Sequence, residues 1–369
     1  MHSNWRTTTL GETLPFSYGK NLPAKTRSHT GEFDVVTSAG VVDSHNEAYV
    51  HVPSIVIGRK GTIGSLTYCP NPVWPTDTTF FATETDACDL RFGYYLLHTL
   101  HLRELNNDSA VPGLNRSDAH ALEIHLPPLS EQVGIAKVLG ALDDKITANV
   151  RVLEAANELV KNLYTAIPKS SNHAIESIGE LVKKNVKPEE MDDSKALINL
   201  EHFDSKQIWI SRHAQVPEAT SAKSSFLVGD VLFGKLRPYF HKVGVAPIGG
   251  YCSTDVLVVR PREDSYRGLL LAAMSAEETV AIATQNSNGT RMPRAKWTDI
   301  ASCAIPDPDD PKSTELGKLM DVLIPKCNAL IHENHVLART RDELLPLLMS
   351  GRITVGEAED VAGTAASES

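Results

Sequence analysis

The stretch Leu126–Ile167 constrains the fold more than any other, because its apolar residues recur at alternating steps of four and three. This heptad pattern predicts a long helix that packs along its length on a second helix. At about 1.5 Å per residue, the helix would be roughly 45–55 Å long. Pro127 and Pro128 precede it, Ser130 is its predicted N-cap, and Pro168 follows it. The seam positions are Ile135, Leu139, Leu142, Ile146, Asn149, Leu153, Ala156, Val160 and Leu163.

A second heptad pattern lies towards the end of the sequence, where leucine recurs at every seventh residue. Its positions are Leu316, Leu323, Leu330, Leu337 and Leu344. Pro325 falls inside this pattern, so the helix either bends there or begins there with a first-turn proline. Asn149 in the first seam and Asn334 in the second occupy matching places. They either fix the register of a helix pair, at some cost in stability, or simply face solvent.

The two helical segments belong to an internal repeat. Identical residues recur 185 positions apart: Ile146 and Ile331, Asn149 and Asn334, Glu158 and Glu343, Leu159 and Leu344. A β-rich block precedes each segment, and the blocks share short motifs. These are Leu10–Glu12 with Ile178–Glu180, Gly58–Lys60 with Gly234–Leu236, Thr76-Asp77 with Thr254-Asp255, and Leu126-Pro127 with Ile305-Pro306. The chain is therefore interpreted as a tandem duplication.

The repeat predicts an α+β fold, in which two similar β-rich domains are separated by two long helices that pair as an antiparallel coiled coil. The predicted domains are residues 1–126 and 174–310, the predicted helices are 127–168 and 312–352, and residues 353–369 are predicted to form a disordered tail.

Composition and absent motifs narrow the function. The five cysteines are dispersed without a CxxC pair, which indicates reduced thiols, a cytoplasmic protein and no zinc site. There is no signal segment and no apolar run of membrane-spanning length. Phosphate-loop, HExxH and GxSxG motifs are absent as well. We therefore favour a binding protein, with no recognised catalytic motif and no metal-ligand pattern.

In the second half of the chain, basic residues are interleaved with Tyr and His, and such residues suit contacts to phosphates and base edges. Basic and polar residues occupy the matching two places in the first half. These residues either contact DNA or simply lie on solvated turns. The net charge of −10, in contrast, argues against a nucleic-acid binder that acts alone. The candidate DNA-binding residues are Arg59, Lys60, Thr62, Asn115, Arg116, Ser117, Lys235, Arg237, Tyr239, His241, Lys242, Arg291, Arg294 and Lys296.

Several motifs in combination resemble the specificity subunits of type I restriction–modification systems. LPPLSEQ followed by IAKVLGALDDKI resembles their first conserved region, and ARTRDELLPLLMSGRI at Ala338–Ile353 resembles the second. IGRKGTIGS with WPTDTTFF, and GDVLFGKLRPYFHKV with CSTDVLVVRP, resemble their target recognition domains. The resemblance covers nearly the whole chain apart from the tail.

The resemblance implies that each β-rich domain reads one half of a split, asymmetric sequence in double-stranded DNA, and that the helix pair sets the gap. It implies two modification (methyltransferase) subunits docked on the helices and restriction (motor–nuclease) subunits joining them. S-adenosylmethionine, ATP and Mg²⁺ would belong to those partners. Two alternatives stay open: a coiled-coil scaffold whose domains bind protein, and an enzyme with an unfamiliar site near Asp77 and Asp255.

Overall fold

The chain divides into two compact units, whose boundaries fall inside the two long helices. Unit 1 comprises Met1–Ile146 and His335–Ser369, and unit 2 comprises Thr147–Asn334. The structure, a computed structural model, describes residues 4–105, 113–216, 221–287, 289 and 291–368, with side chains to residue 364. Small parts of the predicted domains and tail (residues 1–3, 106–112, 217–220, 288, 290 and 369) lie outside the described residues.

Short strands and helices precede the first long helix. The strands are β1 (Arg6–Thr9), β2 (Ser17–Tyr18), β3 (Phe33–Thr37), β4 (Gly40–His45), β5 (Ser54–Gly58), β6 (Leu66–Cys69), β7 (Val73–Pro75), β8 (Thr79–Thr83) and β9 (Glu123–Leu126). The helices are α1 (Leu10–Thr13), α2 (Leu90–Thr99) and α3 (Arg116–His120). The strands form the antiparallel pair β1-β9 and two sheets with the orders β2-β8-β5-β6 and β4-β3-β7.

Unit 2 takes its β-rich part from the residues between the long helices α4 (Leu129–Thr165) and α9 (Pro311–Met349). The strands are β10 (Lys169–Ala174), β11 (Gly179–Leu181), β12 (Asn185–Val186), β13 (Ala196–Ile198), β14 (Ala214–Gln215), β15 (Lys223–Phe226), β16 (Val231–Gly234), β17 (Val243–Val245), β18 (Gly250–Cys252), β19 (Val256–Pro261) and β20 (Ala304–Pro306). The helices are α5 (Ile175–Ile178), α6 (Arg267–Ser275), α7 (Glu277–Gln285) and α8 (Trp297–Ala301). The sheets are β10-β20, β11-β19-β16-β17 and β12-β15-β18-β13-β14.

The duplication is visible in the strand order. The two four-stranded sheets have the orders β2-β8-β5-β6 and β11-β19-β16-β17. In each sheet, the strand that comes first in the sequence is an edge strand and pairs with the strand that comes last. The second and third strands in the sequence complete the sheet in that order. Each unit also contains a parallel strand pair, β3 with β7 and β13 with β18. An antiparallel pair closes each β-rich part, β1 with β9 and β10 with β20, just before a long helix begins. The α+β fold with two similar domains is confirmed.

The predicted seam of α4 is buried along most of its length. In unit 1, Ile135, Leu139 and Leu142 pack in one core with residues of α9, among them Leu337 and Leu344. In unit 2, the buried seam residues Leu153, Ala156 and Val160 share a core with Leu316 and Ile331 of α9. The helices thus use the same apolar stripe to pack on each other and on the domains.

The last seam position is one residue away from its predicted place. Leu163 is exposed, whereas Tyr164 and Ile167 are buried in the core of unit 2. A straight helix turns every 3.6 residues and drifts from a strict 3.5-residue repeat, so the buried stripe moves by one residue over several turns. A cavity at this end is lined by Leu163 and Ile167 together with Lys312 and Leu316 at the beginning of α9.

Asn149 and Asn334 contact each other in unit 2. The Asn149 Nδ2 atom donates to Asn334 Oδ1 at 2.9 Å and to Glu333 Oε2 at 2.6 Å. Asn149 is only 3% exposed, so the solvent-facing alternative is wrong for this residue. Because Asn149 faces the end of α9 within this unit and Ile167 faces its beginning, the two helices run antiparallel there.

Replacing Asn149 alone by Leu is expected to lower the free energy of unfolding by about 1–3 kcal/mol, because the partly buried Asn334 amide loses its donor. Replacing both Asn149 and Asn334 by Leu should restore stability to at least the original value, since a polar pair in an apolar seam costs stability. Urea denaturation of the full chain measures both. Equal stability of the single variant and the unaltered chain would contradict the buried-pair interpretation.

The first residues of both long helices follow local signals, which are prolines before α4 and an aspartate cap before α9. Helix α4 begins at Leu129, so Ser130 is not its N-cap as predicted; the carbonyl oxygen of Pro128 accepts from Glu131 N and Gln132 N instead. Helix α9 begins at Pro311, after an aspartate cap, and continues through Pro325. The alternative in which α9 starts at Pro325 is therefore wrong. Packing of the turns on either side compensates for the backbone hydrogen bond that Pro325 cannot donate.

The predicted disordered tail is wrong for the described residues, because α10 spans Val355–Glu368. Thr354 caps it: Thr354 Oγ1 accepts from Glu357 N, and the Glu357 carboxylate accepts from Thr354 N, which completes a capping box. Ala358 is fully buried in the core of unit 1, and Val355 packs beside it. Small residues on one face let this helix lie close to its support, which a composition rich in Ala and Gly did not reveal.

Candidate nucleic-acid interface

The two predicted basic segments of unit 1 lie next to each other. The turn after β5 carries Arg59 and Lys60, whose backbone N–H groups both donate to the carbonyl oxygen of Thr78, at 2.9 and 3.1 Å. The carbonyl oxygen of Arg59 in turn accepts from Leu114 N at 2.9 Å, in the loop before α3. This link holds both segments together, and the side chains of Lys60 and Thr62 are exposed.

The start of α3 divides its predicted residues by role. Asn115 is the N-cap, since its Oδ1 accepts from Ser117 N at 2.8 Å. Its side chain is thus committed to the helix, whereas Arg116 and Ser117 are exposed. The neighbouring His120 accepts from Phe16 N through Nε2 at 2.8 Å. Burial, and then the charge of Arg116, lower the pKa of His120, which keeps this ring a neutral acceptor.

Tyr18 is a residue of this surface that the sequence analysis missed. Its ring is 48% exposed, and the guanidinium carbons of Arg59 and Arg116 lie 5.1 and 4.9 Å from the ring centroid. Both distances fall in the range of cation–π attraction. Tyr18 reaches this place because β2 pairs with β8, where Phe80 lies opposite and contacts the ring edge-on at 5.0 Å. We call Tyr18, Arg59, Phe80 and Arg116 the Tyr18 cluster.

Unit 2 repeats the link found in unit 1. The carbonyl oxygen of Lys235, in the turn after β16, accepts from Ala295 N at 2.9 Å, in the loop before α8. A second bond joins Arg237 N to the carbonyl oxygen of Pro293 at 2.7 Å. The two predicted basic segments therefore meet here too. The side chains of Arg237, Arg291 and Lys296 are exposed, and Lys235 is half-buried.

A strained turn follows Lys235. Arg237 and His241 have φ values of 51° and 50° and flank the 3₁₀ turn Pro238–Phe240. Left-handed backbone at a residue other than glycine costs of order 1–3 kcal/mol and persists only where the surroundings enforce it. The turn presents the exposed rings of Tyr239 and Phe240, whose centroids lie 4.8 Å apart. Phe240 was not among the predicted contacts.

Two predicted contacts of unit 2 have structural roles instead. His241 is only 6% exposed, and its Nε2 donates to the carbonyl oxygen of Ser275 at 2.8 Å. Burial lowers its pKa, which keeps the ring neutral. Lys242 points its ammonium group at the carbonyl oxygen of Leu200, 2.6 Å away. Both side chains hold the strained turn on its support, and neither is available to a ligand.

Arg294 is exposed but already neutralised. Its Nε and Nη2 donate to the two carboxylate oxygens of Asp255 at 2.8 and 3.1 Å. This paired guanidinium holds the pKa of Asp255 below its usual value. Asp255 thus stabilises the loop before α8, which is a structural role. In unit 1, Asp77 offers its carbonyl oxygen to Arg59 Nη1 at 3.3 Å.

Metal sites and membrane-spanning helices are not found in the described part of the chain. No group of three or more His, Cys, Asp and Glu side chains is placed to hold a metal ion there. The five cysteines are buried, and burial raises the pKa of Cys69, Cys88 and Cys252 to about 12. Within the same residues, every helix is too short or too polar to cross a bilayer.

Residues 2–157 match the family model described as the type I restriction modification DNA specificity domain. The chain thus carries a type I restriction modification DNA specificity domain over these residues. It is similar to the type I restriction enzyme EcoDI specificity subunit of Escherichia coli, with 22% identity over 92% of this chain and 86% of that protein. The MjaIX specificity subunit of Methanocaldococcus jannaschii is 23% identical over 82% of this chain and 78% of that protein.

A solved structure has a similar fold. The type I restriction–modification S subunit from M. genitalium superposes with a TM-score of 0.63, at 15% sequence identity, over 94% of this chain and 96% of that one. At that identity the similarity concerns the fold alone.

Proposed function

We propose that this specificity subunit reads a split, asymmetric DNA sequence, with one half-site for each unit. The observation that carries the proposal is the repeated link: Arg59 O with Leu114 N in unit 1, and Lys235 O with Ala295 N in unit 2. In both units this link gathers exposed cationic side chains beside an exposed aromatic ring. Such groups contact phosphates and base edges, and different side chains at equivalent places would read different sequences.

The proposed contact residues are those whose side chains are exposed or partly exposed. In unit 1 they are Tyr18, Arg59, Lys60, Thr62, Arg116 and Ser117, and in unit 2 they are Lys235, Arg237, Tyr239, Phe240, Arg291 and Lys296. Asn115, His241, Lys242 and Arg294 support these contacts through the bonds described above. Lysines on exposed turns fit phosphates, whereas arginine forks fit base edges as well.

The net charge of the chain, −10, fits a complex in which this subunit reads the sequence and partner subunits supply positive charge. We assign to two modification subunits, docked on α4 and α9, much of the positive surface that clamps the phosphates. Exposed apolar side chains on both helices support docking, because such side chains favour burial against a partner. They include Val133, Val150, Val152, Leu159 and Val322. Restriction subunits would complete the complex.

Chemistry in this proposal belongs to the partners. This chain contributes no catalytic residue and binds no cofactor; S-adenosylmethionine, ATP and Mg²⁺ are held by the modification and restriction subunits. The assembly works in the cytoplasm, where five reduced thiols are stable.

Methylome sequencing of cells with and without the gene for this chain tests the proposal. We expect one bipartite motif with methylated adenine on its two strands, and complete loss of that methylation on deletion. A motif that persists after deletion would overturn the proposal and favour a protein-binding scaffold. Gel shifts with the chain alone and with its methyltransferase test the division of labour, which tight specific binding by the chain alone would contradict.

A further inference from the structure

The Tyr18 cluster holds two guanidinium groups without a counter-charge. Neither Arg59 nor Arg116 forms an ion pair with Asp or Glu in the part of the chain that the structure describes. Their guanidinium carbons lie 5.1 and 4.9 Å from the centroid of the same tyrosine ring. Arg59 also lies 5.6 Å from the ring of Phe80. Two like charges gathered on one ring repel each other, so a ligand rich in acceptors would stabilise the cluster.

The backbone of each cluster member is held by a strand, a helix or hydrogen bonds to neighbouring segments. Tyr18 pairs with Phe80 across two antiparallel strands, and Phe80 is buried. The backbone of Arg59 is bonded on one side to Thr78 and on the other to Leu114. Arg116 is the first residue of α3, behind its Asn115 cap. The backbone positions that carry the two arginines are therefore fixed relative to the Tyr18 ring, which lowers the entropy that binding would cost.

Guanine presents the base edge that best matches the paired N–H donors of a guanidinium group. In the major groove it presents two adjacent acceptors, N7 and O6, and bidentate contact with Arg is the commonest specific pairing. We infer that unit 1 reads guanine in its half-site through Arg59 and Arg116, an inference that rests on the proposed function. Tyr18 is the positioning residue, because its ring holds both forks at one place.

Unit 2 differs at the corresponding loops, which confines the inference to one half-site. Arg294 there donates two hydrogen bonds, from Nε and Nη2, to the carboxylate of Asp255. This edge of its guanidinium group is therefore not available to a base. Lys235 replaces Arg59 beside the repeated link, and an ammonium group offers a point charge instead of a planar fork. The exposed Arg237 lies on the strained turn, and among the described residues no aromatic ring contacts both it and a second arginine.

The test replaces single guanines of the methylated motif by 7-deazaguanine, which lacks the N7 acceptor, and measures binding of the full chain with its methyltransferase. In the half-site read by unit 1, we expect at least one replacement to lower affinity about tenfold. Arg59→Ala or Arg116→Ala should weaken binding to the natural duplex and abolish that tenfold difference. Arg27→Ala, which removes an arginine paired with Asp43 in the same unit, should leave it unchanged.

Tyr18 is tested by the ratio of the affinities for the natural duplex and for the duplex with 7-deazaguanine. Tyr18→Phe keeps the ring and should keep the discrimination between guanine and 7-deazaguanine, whereas Tyr18→Leu should lose most of it. Circular dichroism and thermal unfolding of Tyr18→Leu establish that the chain is folded. A half-site without any G·C pair overturns the inference. Loss of affinity on methylphosphonate substitution, with none on 7-deazaguanine substitution, assigns the arginines to phosphates and overturns it too.

The failure of the proposed function gives a different result. If the complex with its methyltransferase does not distinguish the methylated motif from unrelated DNA, the proposed function is wrong and the inference falls with it. If it distinguishes the motif but tolerates every 7-deazaguanine, only the inference is wrong.

Discussion

Adding four residues to both long helices is expected to lengthen the gap between the two half-sites by about two base pairs. The insertions are placed after Asn149 in α4 and before Asn334 in α9, so that the Asn149–Asn334 contact is kept. Four helical residues rise about 6 Å, and B-DNA rises about 3.4 Å per base pair. Four residues also complete slightly more than one turn, so the seam keeps nearly its original face.

The half-site sequences should stay as they are, because the insertions alter neither basic surface. Methylome sequencing of cells that express the variant reads both the gap and the half-sites, and methylation at the original motif should be lost. The same four residues placed after Gly363 in α10 serve as the control and should change nothing, since the space around Gly363 is open. An unchanged gap in the helix variant would show that the helices do not set the spacing.

Asp230→Ala is expected to destabilise unit 2 by about 3 kcal/mol, the largest effect of a single polar substitution that we predict. Asp230 is 2% exposed and lies just before β16. Its carboxylate accepts from Leu227 N at 2.8 Å and, bidentately, from Arg260 at 2.9 and 2.8 Å. The substitution removes all three bonds and leaves the partly buried Arg260 without this partner.

Asp204→Ala is the matched control, because Asp204 pairs with Arg212 at 2.6 Å in the same unit but both side chains are about half exposed. Exposed pairs contribute less than about 1 kcal/mol, since water screens them. Asp230→Asn should fall between the two, as its Oδ1 can still accept from Leu227 N. Urea unfolding followed by hydrogen exchange at β16 and β19 measures the differences. Equal costs for Asp230→Ala and Asp204→Ala would refute the buried-pair interpretation.

The helix pair and the duplication could be predicted because both leave periodic traces in the sequence. Leu139 and Leu142 mark the buried stripe by their spacing, and Asn149 and Asn334 mark its polar interruption. The strand order of each domain could not be predicted in the same way. It depends on pairings such as β2 with β8, whose partners are about sixty residues apart and share no spacing rule.

The candidate surface could be predicted only in part, because the contacts between its residues depend on long-range pairing. Composition located Arg59 and Arg116, but their shared contact with Tyr18 requires a strand pairing that no local pattern reports. His241 was selected because it lies among Lys and Tyr residues, yet the left-handed backbone at that position turns its ring inwards to Ser275. Local chemistry indicates which residues could bind, and long-range packing decides which of them are exposed.

The discontinuity of unit 1 has a consequence for how the chain folds on the ribosome. Its core combines Leu139 with Leu337, Leu344 and Leu348, and all of unit 2 lies between them in the sequence. At translation speeds of about 5–20 residues per second, the first half of α4 waits roughly 10–40 s for its partner. Unit 2 is continuous and can close during that interval. A nascent chain released before His335 would therefore carry a completed second domain and an open apolar seam on the first.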